Sequence, residues 1–252
     1  MKDYWEVRSE TYHGLDLVSN KKMAYEIIKA IKQFSLSQHS RVLDVGCGGG
    51  VITKVIKENL RNSSVTGLDI SKKMINKANQ DLILGLDYVQ ADFLGKKFPS
   101  TFPYYNLLTM NLVLHHLIDG GDKEAIRRAY GFLSTNGFLL ISEAVPPVDE
   151  IYEEYKRVFS FKEKRNCYLI SNLVSMMRMV GFERVRSTSY RFKIRLLNWL
   201  KDETLPSWKK KKIYELHVNA SGEWKRAYNQ VSLPGGDFEL TCKMVIITGQ
   251  KK

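Results

Sequence analysis

Three aspartates stand at matched places early in the chain: Asp44 in RVLDVGCGGG, Asp69 in VTGLDIS and Asp92 in VQADF. Each follows or closes a short apolar run of strand character, which puts all three at one edge of a sheet. A single Asp after a strand is often a helix cap; three at successive strand ends point to a ligand. Gly46, Gly48, Gly49 and Gly50 follow the first of them. Glycine there lets the backbone turn sharply and lets a ligand approach closely. A strand, a glycine turn opening a helix, a second strand and an acid at its end form the layout of a nucleoside-cofactor site. A dinucleotide fingerprint needs GxGxxG, but Val51 stands at its third glycine position. Asp44 would repel a pyrophosphate and would suit an ammonium or sulfonium group. Asp69 is placed to accept from a ribose diol. Asp92 could accept from an adenine amino group, with Phe93 against the ring.

His115 and His116, in NLVLHHL, are the candidates for acid–base work. An imidazole titrating near neutrality can take a proton from a hydroxyl or an acidic carbon. Packing or cofactor contact is the other reading of the pair. Tyr4, Trp5, Tyr12 and His13 crowd the N-terminal segment, as a lid over the site or as a packing cluster. Cys47 fills the variable position of the glycine turn with nothing beside it to make a nucleophile. The His, Cys and acidic residues show no metal-ligand spacing, and no metal is expected.

The elements that must position these residues alternate. RVLDVG, VTGLDI, LDYVQADF, YNLLTMN and GFLLISEA read as strands. VITKVIKENL, SKKMINKANQDLILG and DKEAIRRAYGFL read as helices, with Ser71 and Asp122 as expected N-caps. Such alternation implies right-handed crossovers and a parallel sheet covered by helices. Residues 1–40 form an expected N-terminal helical cap, with Met23, Tyr25, Ile27, Ile28, Ile31 and Phe34 as its apolar stripe. After Pro146-Pro147 come two expected helices, VDEIYEEYKRVFSF and SNLVSMMRMVGF, the second ended by Gly181. A strand, FERVRSTSYRF, follows. Arg195 to Pro234 is too long for a hairpin loop and reads as a helical insertion before the last strand, FELTCKMVIITG. It covers the site, forms an interface or is a packing embellishment. Trp199 is its candidate site residue.

VLDVGCGGG, GLDIS, QADF and NLVLHHL, in this order and spacing, resemble the motif series of class I S-adenosylmethionine-dependent methyltransferases. The nearest resemblance is to the small-molecule and quinone-biosynthesis branch, and it covers roughly residues 40–145. It implies an α/β three-layer, Rossmann-like, doubly wound sheet of seven strands, the last antiparallel and inserted between the fifth and sixth. The methyltransferase domain would span residues 41–252. Carried over by motif, Asp44, Gly46, Cys47 and Gly48 border the methionine part of S-adenosylmethionine, and Asp69 holds the ribose. Ile70 and Met74 flank the adenine, and Asp92 and Phe93 meet its edge and face. Asn111 and Leu112 lie beside the methionine and sulfonium. In related enzymes an LHH histidine serves as base, and a tyrosine-bearing N-terminal segment closes over the site. The Pro-Pro-Tyr box of nucleobase amine transfer is missing from MNLVLHHL.

Composition sets outer bounds. Three scattered cysteines argue against a disulfide framework, and a reducing cytoplasm fits. The N-terminus has no apolar signal region, and no apolar run is long enough to span a bilayer. The net charge of +12 and the run Lys209–Lys212 keep an RNA acceptor open. The expected acceptor is a small molecule, apolar or aromatic, methylated on O, N or C. Two further rivals are a non-catalytic cofactor-binding subunit, disfavoured by the intact acids, and a nicotinamide dehydrogenase, disfavoured by Asp44.

Overall fold

The computed structural model describes residues 21–80, 82–96 and 104–252. Helix α1 (Lys21–Ile31) precedes β1 (Arg41–Val45), α2 (Val51–Asn59), β2 (Ser64–Asp69), α3 (Lys72–Ala78) and β3 (Leu86–Gln90). Then follow β4 (Tyr105–Asn111), a 3-10 turn (Leu114–His116), α4 (Gly121–Phe132) and β5 (Leu133–Val145). Helices α5 (Tyr152–Lys162) and α6 (Ile170–Val180) lead into β6 (Glu183–Arg195). The insertion holds α7 (Leu196–Trp199), α8 (Ser207–Val218), α9 (Gly222–Ala227) and β7 (Val231–Ser232), and β8 (Phe238–Gln250) closes the sheet.

The strand order is β3-β2-β1-β4-β5-β8-β6, with β7 paired to β8. Strands β1 to β5 pair in parallel, and β8 runs antiparallel to both β5 and β6. The expected topology is therefore present, with the two-residue β7 as an eighth strand. The order reverses beside β1, where β2 lies on one side and β4 on the other, and ligands bind open α/β sheets outside such a switch point.

Alternate residues of the inner strands fall into two separate cores. Val42, Leu107, Leu140 and Ile246 belong to one; Leu43, Leu108, Leu139 and Val245 belong to the other. A period of two sends neighbours to opposite faces, so the sheet is buried on both sides. Met23, Ile27, Ile28 and Ile31 of α1 cover the first face together with Leu196, Ile213 and Trp224 of the insertion. Ala125, Ile126 and Ala129 of α4 and Leu173, Met176 and Met177 of α6 cover the second.

Two element ends match their local signals. Ser71 caps α3 by accepting from the Met74 N–H at 3.3 Å, and Gly181 ends α6 with φ 110°, a left-handed value glycine adopts without strain. Three readings are corrected. Tyr25 is exposed, because it lies off the buried face of α1. Asp122 is not the cap of α4. Gly120 occupies that position, and the Asp122 carboxylate accepts instead from the Tyr168 hydroxyl and the Asn166 amide. The insertion, expected to hold two helical segments around Trp199 and Trp208–Val218, contains a third helix, α9, capped by Ser221, which accepts from the Trp224 N–H.

Candidate active site

The turn after β1 is hooked to the end of β2. The N–H groups of Gly46 and Cys47 both donate to the Leu68 carbonyl, at 2.7 and 3.0 Å. A Cβ on Gly46 would collide with Val113, whereas one on Gly48, with φ 53°, would meet nothing within 4 Å among the described residues. Gly46 is thus required by packing. Gly48 presents bare backbone to open space, and that space is a cleft lined by the strand ends. Asp44, Gly46, Cys47, Gly48, Asp69, Ile70, Met74, Asp92, Phe93, Asn111, Leu112 and His116 all border it. Residues far apart in sequence therefore converge here: every cofactor residue named from the motifs lines one cavity.

The three acids differ in what they do within it. Asp44 is buried, and its carboxylate accepts from Thr53 Oγ1 at 2.7 Å, Thr109 Oγ1 at 2.6 Å and Asn111 Nδ2 at 3.2 Å. Burial raises its pKa against the pull of those three hydrogen bonds. Asp69 takes the Gly48 N–H on one oxygen and the Ser71 N–H on the other, each at 2.9 Å, which locks the glycine turn to the start of α3. Asp92 is the exposed one, and it accepts from the Leu94 N–H at 2.9 Å. The Cys47 thiol is pushed well above its ordinary value by burial, and next by Asp44 and Asp69, so it stays a neutral packing group.

Asn111 is held by its donor side. A carboxylate only accepts, so the Asp44 contact fixes the amide with Nδ2 inward. Its Oδ1 is then buried without a hydrogen-bond partner among the described residues. A buried acceptor left unpaired costs about 1–3 kcal/mol, which a donor arriving in the cleft would recover. The next residue, Leu112, has φ 56°. A left-handed leucine stores roughly 1–3 kcal/mol of strain, tolerated where surrounding structure fixes it. Its N–H donates to the Ser142 carbonyl at 2.8 Å.

A second chamber lies behind this wall. It is bordered by Phe159, Trp199, Trp224, Tyr228 and Leu240, with Lys162, Glu163 and Arg165 among its polar groups. Leu112 and His116 border both cavities, and His115 borders the second. The imidazoles of His115 and His116 lie 3.8 Å apart, centre to centre. His115 is paired through Nδ1 with Glu143 Oε2 at 2.7 Å. Burial lifts the Glu143 carboxyl from 4.5 to about 7, while Arg165 and His116 draw it back down. Lys162 is tied to Asp202 at 3.1 Å in a buried pair and lies 5.1 Å from the centre of the Trp199 ring. Arg165 donates to Glu163 at 3.2 Å, yet its Nη2 is buried without a partner among the described residues.

Tyr4, Trp5 and Tyr12 fall outside the described residues. Trp199 joins the histidines at the second chamber. Glu143, Arg165 and Trp224 escaped the sequence reading. Glu143 carries the clearest missed signal, as the one charged residue inside the apolar strand GFLLISEAV. Among the described residues, His115, His116 and Glu163 also bring potential metal-ligand atoms within 4.8 Å of one another. Their spacing in sequence gave no hint of this. Within that group, Glu163 Oε1 accepts from Arg165 and His115 Nδ1 pairs with Glu143 Oε2.

Comparison with known proteins gives the same fold. The YcgJ protein of Bacillus subtilis superposes with a TM-score of 0.77 at 19% identity, over 90% of this chain and 98% of that one. A Haemonchus contortus phosphoethanolamine N-methyltransferase, solved with phosphomonomethylethanolamine and S-adenosylhomocysteine, gives 0.59 at 15% identity, over 90% of this chain and 52% of that one. Among curated sequences, malonyl-[acyl-carrier protein] O-methyltransferase of Halalkalibacterium halodurans is 26% identical over 151 residues, covering 56% of this chain and 53% of the relative. The chain spans about half the length of the curated relatives it matches. A family described as a methyltransferase domain matches residues 19–187, which is most of the chain. The chain belongs to that methyltransferase domain family.

Proposed function

We propose that this protein transfers a methyl group from S-adenosylmethionine to a small apolar or aromatic acceptor. The observation that carries the reading is the shared wall: Leu112 and His116 border both the glycine-turn cleft and the aromatic chamber. One cavity suits the cofactor, and the other suits the acceptor beside it.

The cleft fits the cofactor by its own chemistry. The unpaired Asn111 Oδ1 suits an ammonium donor, and buried Asp44 behind it adds negative charge favourable to a cation. Gly48 leaves room for close approach along the methionine portion, with Gly46 and Cys47 in the same turn. Asp69 is the ribose partner, Ile70 and Met74 are the adenine walls, and Asp92 with Phe93 takes the far edge of the base. When bound, S-adenosylmethionine supplies an electrophilic methyl group. The protein then needs to align an acceptor and exclude water. His116 at the wall and His115 behind it take the acceptor's proton. Trp199 and its neighbours in the insertion exclude water. Tyr4, Trp5 and Tyr12 are proposed to close the N-terminal side.

Among the described residues no helix is long and apolar enough to cross a membrane. We place the protein in the cytoplasm, where its three free cysteines would stay reduced.

The test is transfer of radiolabelled methyl from S-adenosylmethionine into a cell extract, with and without ribonuclease. Label in a small, ribonuclease-resistant fraction is expected. Ribonuclease-sensitive label in a large fraction would replace the small-molecule acceptor with RNA. Failure to bind S-adenosylhomocysteine would remove the reading altogether.

A further inference from the structure

Among the described residues, the fully buried polar atoms left unpaired around the aromatic chamber are of one kind. Arg165 Nη2 and Trp224 Nε1 are both buried, both belong to residues lining the chamber, and neither has a hydrogen-bond partner. Both are donors only. Lys162 is bound to Asp202, Lys243 donates to the Pro147 carbonyl, and His217 Nδ1 pairs with the Ile213 carbonyl. Burial lowers the His217 pKa, so that ring stays neutral. An occupant that satisfies these two donors brings acceptor atoms, and the donor it meets at Arg165 is a permanent cation.

Building on the cofactor reading above, we propose that the acceptor is an apolar or aromatic monocarboxylate anchored by Arg165. The body of the molecule lies among Phe159, Trp199, Trp224 and Tyr228. The guanidinium already lies over the Phe159 ring, with Cζ 4.2 Å from its centre, a contact that limits where the fork can swing. A single negative charge suits the site better than two. Glu163 shares the same guanidinium, and Glu143 lies close enough to act on it electrostatically. A phosphate dianion would face both acids, while a carboxylate brings one charge to the remaining edge. Arg165 sets specificity here. The reacting atom of the acceptor lies elsewhere on it, toward the Leu112–His116 wall.

The experiment uses the full chain saturated with S-adenosylhomocysteine, whose own affinity is measured first. Matched acids and neutral amides are then titrated by calorimetry and ligand-observed NMR: benzoate and benzamide, 4-hydroxybenzoate and 4-hydroxybenzamide, cinnamate and cinnamamide, octanoate and octanamide. Phenyl phosphate serves as the dianionic control. At least one acid should bind about ten-fold or more tighter than its amide, a preference of the size a charge-assisted hydrogen bond supplies. Arg165→Gln should reduce that preference to within about two-fold, and Arg165→Lys should retain part of it. Unchanged S-adenosylhomocysteine affinity in each variant shows that it is folded. The proposal is overturned if no acid outbinds its amide, if phenyl phosphate binds best, or if Arg165→Gln keeps the preference. If S-adenosylhomocysteine itself does not bind, the cofactor reading has failed and the anchor falls with it. If it binds and the acids do not, only the anchor has failed.

Discussion

His115 Nδ1 and Glu143 Oε2 lie 2.7 Å apart with their side chains almost wholly shut from water, at 5% and 0% exposure. One proton sits between them, and its position sets the other end of the imidazole. When Glu143 is ionised, Nδ1–H donates to it and Nε2 is left as a base. When Glu143 is protonated, it donates to Nδ1, and Nε2 carries the hydrogen instead. Burial raises Glu143 to about 7, so this exchange falls near neutrality.

Two pH effects follow from that pair. Turnover should rise with pH along a limb centred near 7, and Glu143→Gln should abolish the limb. Stability moves in the opposite direction. A carboxyl whose folded pKa lies above its unfolded one favours the folded state at low pH and loses that advantage as pH rises through the folded value. A tenfold difference in proton affinity between the two states corresponds to about 1.4 kcal/mol. The thermal midpoint of Glu143→Gln should therefore gain on wild type between about pH 5 and about pH 8. A constant gap across that range would refute the assignment.

His116 borders both cavities and His115 only the chamber, so their losses should differ. His116→Ala should lower kcat about 100-fold, within the usual range for losing a proton acceptor. It should also raise the KM for the acceptor. His115→Ala should lower kcat with less effect on KM. If both variants keep turnover within a few-fold of wild type, transfer proceeds by alignment alone.

The glycine turn offers a paired test. Gly46→Ala places a methyl against Val113 at positive φ. Overpacking should destabilise the fold by about 1–3 kcal/mol, with left-handed strain adding about 1–2 kcal/mol. Gly48→Ala carries the strain but meets no atom of the described residues within 4 Å. It should stay folded and lose affinity for S-adenosylhomocysteine, because the methyl projects into the space a ligand needs. Thermal melts and calorimetry on the two proteins separate these outcomes. Equal losses of stability would contradict the distinction.

Asp44→Asn tests the buried network. The amide keeps the shape but gives two hydroxyls and Asn111 a weaker, half-donor partner. Affinity for S-adenosylhomocysteine should fall about ten-fold, the scale of a lost hydrogen bond to a charged group. NAD should bind neither protein. An unchanged S-adenosylhomocysteine affinity would show that Asp44 serves only packing.

The ligand edge was legible in sequence because its residues follow strands. Asp44, Asp69 and Asn111 end or nearly end β1, β2 and β4, and strand ends are marked by where an apolar run stops. The glycines were legible because so few residues tolerate that backbone. The aromatic chamber was not. Phe159, Arg165, Trp199 and Trp224 come from helices and loops on either side of β6, and no periodicity encodes which helix faces meet. The exposed Tyr25 shows the same limit, since its hydrophobicity matched the stripe while its angle around α1 did not. The Asp122 cap failed because Gly120, left-handed at φ 86°, started the helix earlier. The acid then served tertiary contacts with Tyr168 and Asn166.

The antiparallel β8 lies between β5 and β6, although it comes after both in the chain. On a ribosome, β5 is finished at Val145 and must wait roughly ninety residues for the partner that begins at Phe238. At about 5–20 residues per second that wait lasts roughly 5–20 seconds. During it the growing chain exposes Leu139, Leu140 and Ile141 on an unpaired backbone edge, the kind of surface that templates aggregation. Strand β6, sealed only by β8 on the same schedule, shares that interval. Synthesis in the cell should therefore depend on holding this edge apart from its neighbours. Fragments cut before Phe238 should accumulate as insoluble material, whatever the condition of the cofactor cleft.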